Sequence, residues 1–103
     1  MEIERTQRGF SLLKFKDSYN NPCSLQKSSA ATDDYIWLGV DDLNPQIMAV
    51  DAPRFGIETN QDCGWVPYPI PKEVCMWNRM HLSREQVKEL LPHLQRFVET
   101  GEL

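Results

Sequence analysis

The stretch S-R-E-Q-V-K-E-L-L-P-H-L-Q-R-F-V-E-T-G-E-L, residues 83–103, constrains the fold more than any other part of the chain. Val87, Leu90, Leu91, Leu94, Phe97 and Val98 recur at intervals of three and four, which lines them up as one apolar stripe on an α-helix. Ser83 stands where an N-cap belongs, and Gln86 three residues on completes a capping box. Gly101 is a natural stop. Pro92 interrupts the run, yet the stripe keeps phase across it. The spacing predicts one helix, bent at Pro92, with the proline on the polar side where the freed Lys88 carbonyl meets water. Such a helix has to lay its apolar side on something.

The upstream sequence offers strands, because it alternates with a period of two. GFSLLKFKD places Ser11, Leu13 and Phe15 on one face and Phe10, Leu12, Lys14 and Lys16 on the other. Turn formers fill residues 17–22, D-S-Y-N-N-P. The return strand PCSLQKSS sets Cys23, Leu25 and Lys27 against Ser24, Gln26 and Ser28. YIWLGV, rich in aromatic and β-branched types, opposes Ile36, Leu38 and Val40 to Tyr35, Trp37 and Gly39. QIMAV is a short strand, and VCMWNRMHL predicts a last strand running through 75–82. Residues 1–8 are polar, a frayed end or an edge. The connections are too short for helical crossovers, so the strands pair antiparallel. The expected fold is α+β: a small antiparallel β-sheet of about four to five strands packed by one C-terminal, Pro-bent amphipathic helix, in a single domain over 1–103. Residues 51–71 form an irregular, Pro-containing excursion within it. The stretch 51–64 shows neither period, and prolines at 67, 69 and 71 remove every second N–H, which excludes a central strand. One helix covers one sheet face. The other must be polar, be covered by the excursion, or pack against another copy.

A chain of 103 residues with a net charge of −4 disfavours nucleic acid as a partner, because phosphate contacts need clustered Lys and Arg. No apolar run approaches the roughly 18 residues of a membrane span, and MEIERTQRGF has no hydrophobic signal region, so a cytoplasmic protein is expected. Cys23, Cys63 and Cys75 are too irregularly spaced for a disulfide framework and fit reduced thiols. They also lack the close pairing of zinc ligands. With no G-x-S-x-G, no glycine-rich phosphate loop and no H-E-x-x-H, no metal, cofactor or catalytic residue is assigned. The enzymatic alternative is a hydrolase with Cys23 as nucleophile and His81 as its base.

A strand through 75–82 points Met76, Asn78, Met80 and Leu82 one way and Cys75, Trp77, Arg79 and His81 the other. If Met80 and Leu82 join the core, Trp77, Arg79 and His81 project together from the opposite face. Trp37, Tyr35, Gln26 and Ser28 then share that side. Rings can stack on a planar ligand, and an arginine pairs bidentately with phosphate or carboxylate. Aromatics with arginine are also the usual composition of a protein interface. A purely structural reading is equally open, with Arg79 paired to Asp33, Asp34 or Glu85 and His81 bonded to backbone.

The words C-S-L-Q-K-S-S, I-W-L-G and R-M-H-L-S-R-E-Q, with a closing helix ending in G-E-L, resemble a recurring pattern of small bacteriophage and prophage proteins. The resemblance covers about residues 10–40 and 79–103 and leaves 44–78 uncovered. It implies a phage-like origin and action in the cytoplasm of an infected bacterium. It implies no chemistry, and no catalytic residue carries over. The expectation is a small non-enzymatic binding protein, acting stoichiometrically in counter-defence or host takeover and able to form a homo-oligomer. Its partner would be a host protein or a small anionic, nucleotide-like ligand, with Gln26, Ser28, Trp37, Trp77, Arg79 and His81 as binding residues. A virion or assembly accessory protein is the remaining alternative.

Overall fold

The computed structural model describes residues 1–103, and its contacts gather into two units, Met1–Asp41 with Asn78–Leu103 and Asp42–Trp77. The first unit holds a five-stranded sheet. In spatial order its strands are β1 (Ile3–Arg5), β2 (Ser11–Lys16), β3 (Pro22–Lys27), β4 (Tyr35–Val40) and β7 (Arg79–Ser83), with every neighbouring pair antiparallel. The C-terminal helix α1 follows as Arg84–Thr100, so the fold is α+β with a small antiparallel sheet.

Local chemistry explains the β2–β3 hairpin. The Asp17 carboxylate accepts the backbone N–H groups of Tyr19 and Asn21, both at 2.9 Å. Asn20 takes the left-handed conformation (φ 68°), which asparagine tolerates better than most residues. The register then sorts the side chains as the alternation predicts. Ile3, Leu13, Leu25, Leu38 and Met80 lie side by side in one apolar row across all five strands. On the same face run Phe15, Cys23 and Val40 to one side of that row and Ile36 and Leu82 to the other. The opposite face carries the rows Leu12, Gln26, Trp37, His81 and Lys14, Ser24, Gly39, Arg79.

Two expectations are corrected. The last strand begins at Arg79, not at Cys75, and Trp77 lies in irregular chain, 81% exposed, within the second unit. Its only ladder partner, β4, stops at Val40. There the Asn78 amide donates to the Val40 carbonyl at 2.8 Å and to that of Asp41, so a side chain takes acceptors a longer strand would use.

The second correction concerns the cover of the helix and not the helix itself, which forms as the single element the spacing predicts. It runs without a break through Pro92. Ser83 Oγ accepts the Gln86 N–H, the Gln86 side chain accepts the Ser83 N–H, and the Gly101 N–H closes the end on Phe97 O. Yet it contains no buried residue: Leu91, Leu94 and Phe97 are 55–59% exposed and Val98 77%. The stripe does not pack on its own sheet. Ser83 is at once the last residue of β7 and the N-cap of α1, which leaves no residue for the chain to reverse over the sheet, where such connections take about two to six.

The second unit is a two-stranded ribbon of β5 (Gln46–Met48) and β6 (Trp65–Pro67), with a short 3-10 turn at Ala52–Phe55. Ala49, Ala52 and Val66 form its core, with Ile47 and Ile57 against them. The 51–71 excursion is thus more ordered than its composition suggests. Pro67 is accommodated because β6 pairs on one side only. No helix is long and apolar enough to cross a membrane.

Candidate functional site

The polar face of the five-stranded sheet gathers the chain's chemistry-bearing side chains. Alternation along β4 puts Tyr35 and Trp37 on this face, and the β4–β7 register sets His81 directly beside Trp37. The three rings make one cluster: His81 stacks on Tyr35 with centroids 4.6 Å apart and tilts against Trp37 at 4.1 Å. Offset and tilted ring pairs at these distances are favourable beyond the area they cover. The Arg79 guanidinium lies over the Trp37 ring, 5.3 Å from its centroid, in cation–π geometry.

Cross-strand hydrogen bonds fix the two polar groups of β7. Arg79 Nη1 donates to Gln26 Oε1 at 3.1 Å, reaching past β4 to β3. His81 Nε2 shares a 2.9 Å hydrogen bond with Ser28 Oγ, which also accepts the Ala30 N–H. Ser28 is buried, whereas the His81 residue is exposed. Arg79 takes part in no ion pair: Asp34 is claimed by Lys27 and Arg84, and Asp41 by Lys14. The Lys14 ammonium, hydrogen-bonded to Asp41 at 3.0 Å, holds that carboxyl below its ordinary range. Partial burial opposes the shift, while the Ser24 hydroxyl and the more distant charge of Arg79 support it.

Five of the six residues expected from sequence, Gln26, Ser28, Trp37, Arg79 and His81, thus meet on one face. Trp77 does not join them through β7, because the strand starts two residues after it. Sequence reasoning missed the groove beside Gln26, of about 300 Å3, lined by Thr6, Gln7, Arg8, Phe10 and Ser29 as well. Arg8 stands over the Phe10 ring at 5.7 Å. The available signal was Gly9 in T-Q-R-G-F, whose left-handed φ of 86° closes the turn from Thr6 to Phe10 and fixes both side chains.

The register also decides the thiol alternative. Cys23 pairs with Val40 and His81 with Trp37, three residues apart on β4, so the thiol and the imidazole lie on opposite faces of the sheet. Cys23 is buried and its S–H donates to the Asn21 carbonyl at 3.3 Å. A Cys23–His81 dyad does not form. The face offers ring surfaces, one guanidinium outside any ion pair, and amide and hydroxyl partners. Comparison with protein-family models, with curated proteins and with solved structures finds no match for this chain.

Proposed function

We propose that this protein acts by stoichiometric binding and that the Tyr35, Trp37, Arg79 and His81 face takes a small planar anion of the nucleotide type. The observation that carries the reading is the state of Arg79. Its guanidinium is held by a neutral amide and an aromatic ring, with no carboxylate in ion-pairing distance. No carboxylate pairs with it directly, and it is already fixed in place, which lowers the ordering cost of binding. The ring cluster beside it supplies a stacking surface, and Gln26 and Ser28 can exchange their present bonds for ligand bonds. With the likeness of several sequence words to phage proteins, the setting we propose is counter-defence or host takeover by sequestration of a signalling nucleotide.

The test is calorimetric titration with a panel of cyclic and linear nucleotides. Arg79→Ala is expected to weaken binding at least about tenfold, the scale of a charge-assisted hydrogen bond, while the melting temperature moves little. Unchanged affinity, or a variant that unfolds, overturns the assignment. A second reading, a host-protein target, is favoured by Trp65 and Trp77, exposed at 61% and 81% in the second unit. In that case Trp65→Ala and Trp77→Ala abolish capture of the target and Arg79→Ala does not.

A further inference from the structure

We infer that the apolar stripe of α1 and the apolar face of the five-stranded sheet are two halves of one interface, completed by a second copy of this chain in which each helix lies on the other copy's sheet. This surface is opposite the proposed ligand face, so either idea can fail without the other.

Four observations carry the inference. First, the helix stripe is exposed and the sheet's apolar face is only half-buried along its middle strands, with the ends of its central row exposed. Leu90, Leu91, Leu94, Phe97 and Val98 together expose on the order of 500 Å2 of apolar surface, the size at which a patch marks an interaction site. On the sheet, the row from Ile3 to Met80 is open at both ends, with Ile3 66% and Met80 53% exposed. Second, the two surfaces are continuous. Ile36 and Leu82 from the sheet and Val87 and Leu91 from the helix line one apolar groove of about 360 Å3.

Third, beyond its first turns the helix does not fold back over its own sheet. Ser83 closes β7 and caps α1, so no residue remains to turn the chain back. A second copy has no such constraint, and the lengths fit. The stripe from Val87 to Val98 is about 16 Å long, and five strands span about 19 Å across the apolar row.

Fourth, the areas agree. The chain exposes 8741 Å2, whereas two independent compact bodies of the two units' sizes expose about 7,100 Å2 together. The surplus of roughly 1,600 Å2 per chain, shared between the stripe, the sheet row and exposed side chains of the second unit such as Trp65 and Trp77, leaves room for the roughly 800 Å2 that each partner gives a standard interface. The match is self-complementary, as a twofold interface requires.

The test is sedimentation velocity on the full chain at micromolar concentration, with two variants. The wild type is expected at twice the 12.0 kDa of one chain. Leu94→Glu puts a charge in the contact and is expected to weaken association at least about a hundredfold. A flexible Gly/Ser linker of about six residues, inserted between Leu82 and Ser83 so that the capping box stays intact, supplies the missing turn. It is expected to give a monomer that keeps its helical circular dichroism. If Leu94→Glu fails to fold, the linker variant decides. A monomeric wild type, a Leu94→Glu variant that dimerises as before, or a linker variant that dimerises with unchanged affinity overturns the inference. So does a monomer that floats with phosphatidylcholine vesicles, which assigns the stripe to lipid instead.

Discussion

At Gly39 the sheet uses the space of a missing side chain. A Cβ there would stand 2.5 Å from the Asn78 carbonyl oxygen and 2.8 Å from the Arg79 Cα, both backbone atoms of the neighbouring segment. It would also come within 3.3 Å of the Arg79 side chain. The close approach sets where β7 begins and where the guanidinium above Trp37 starts from. Gly39→Ala is therefore expected to cost about 1–3 kcal/mol, the range of an overpacked site, and to weaken the proposed nucleotide binding along with stability. Urea denaturation of the variant checks the first part. A midpoint equal to that of the wild type means that β7 does not press on β4 at this position. Asn78 acts from the other side of the same junction, since its amide bonds tie the end of β4 to the start of β7. No single-residue propensity announces either role. The word I-W-L-G shows a strand with a glycine in it but not which backbone leans on that glycine.

The elements themselves were largely legible, because their signals are local. Period-two alternation assigned the two faces of β2, β3 and β4, and the register confirms every assignment. The capping box and Gly101 fixed both ends of α1. What failed were the features set by a partner's length. Alternation continues through V-C-M-W-N, but a strand lasts only as long as its neighbour, so Trp77 fell outside. Periodicity reports which side of the helix is apolar and says nothing about whether the connection can deliver that side to its own sheet.

The element scale also predicts an acid response, since two carboxylates hold the same end of the sheet. Backbone and side-chain hydrogen bonds from Asn21 lower Asp17 at the β2–β3 turn, and the Lys14 hydrogen bond lowers Asp41 just after β4. The Asp41 backbone N–H meets the Pro22 carbonyl at 2.9 Å, which joins the two. A carboxyl whose folded value lies below its ordinary 3.8 leaves the unfolded chain to take up protons first as the pH falls. Its stabilisation is complete above the ordinary value and is lost as the pH drops through the folded one. Stability is expected to be flat near neutrality and to fall below about pH 4. Asp41→Asn should lower stability at neutral pH and flatten that fall. If it leaves the acid slope of a urea series unchanged, Asp41 carries none of it.

At the scale of the whole molecule, the question is where the stability comes from. An isolated 17-residue helix is marginal in water and owes its persistence to packing of its apolar face. The buried hydrophobic residues are few: Cys23, Ala49, Ala52 and Val66. If the second copy supplies the missing burial, folding and association are one equilibrium, and the melting temperature must depend on protein concentration. The size of the effect follows from the chain length. About 0.7 kcal/mol of unfolding enthalpy per residue gives about 70 kcal/mol per chain and about 140 kcal/mol per dimer, so a hundredfold rise in concentration should raise Tm by about 7 °C. Helical and aromatic circular dichroism should then melt together, since neither the helix nor the sheet keeps its cover alone. The linker variant, folded as a monomer, should melt at a temperature independent of concentration. A wild-type Tm that does not move across that range places the stability within one chain and removes the exchanged helix as its source.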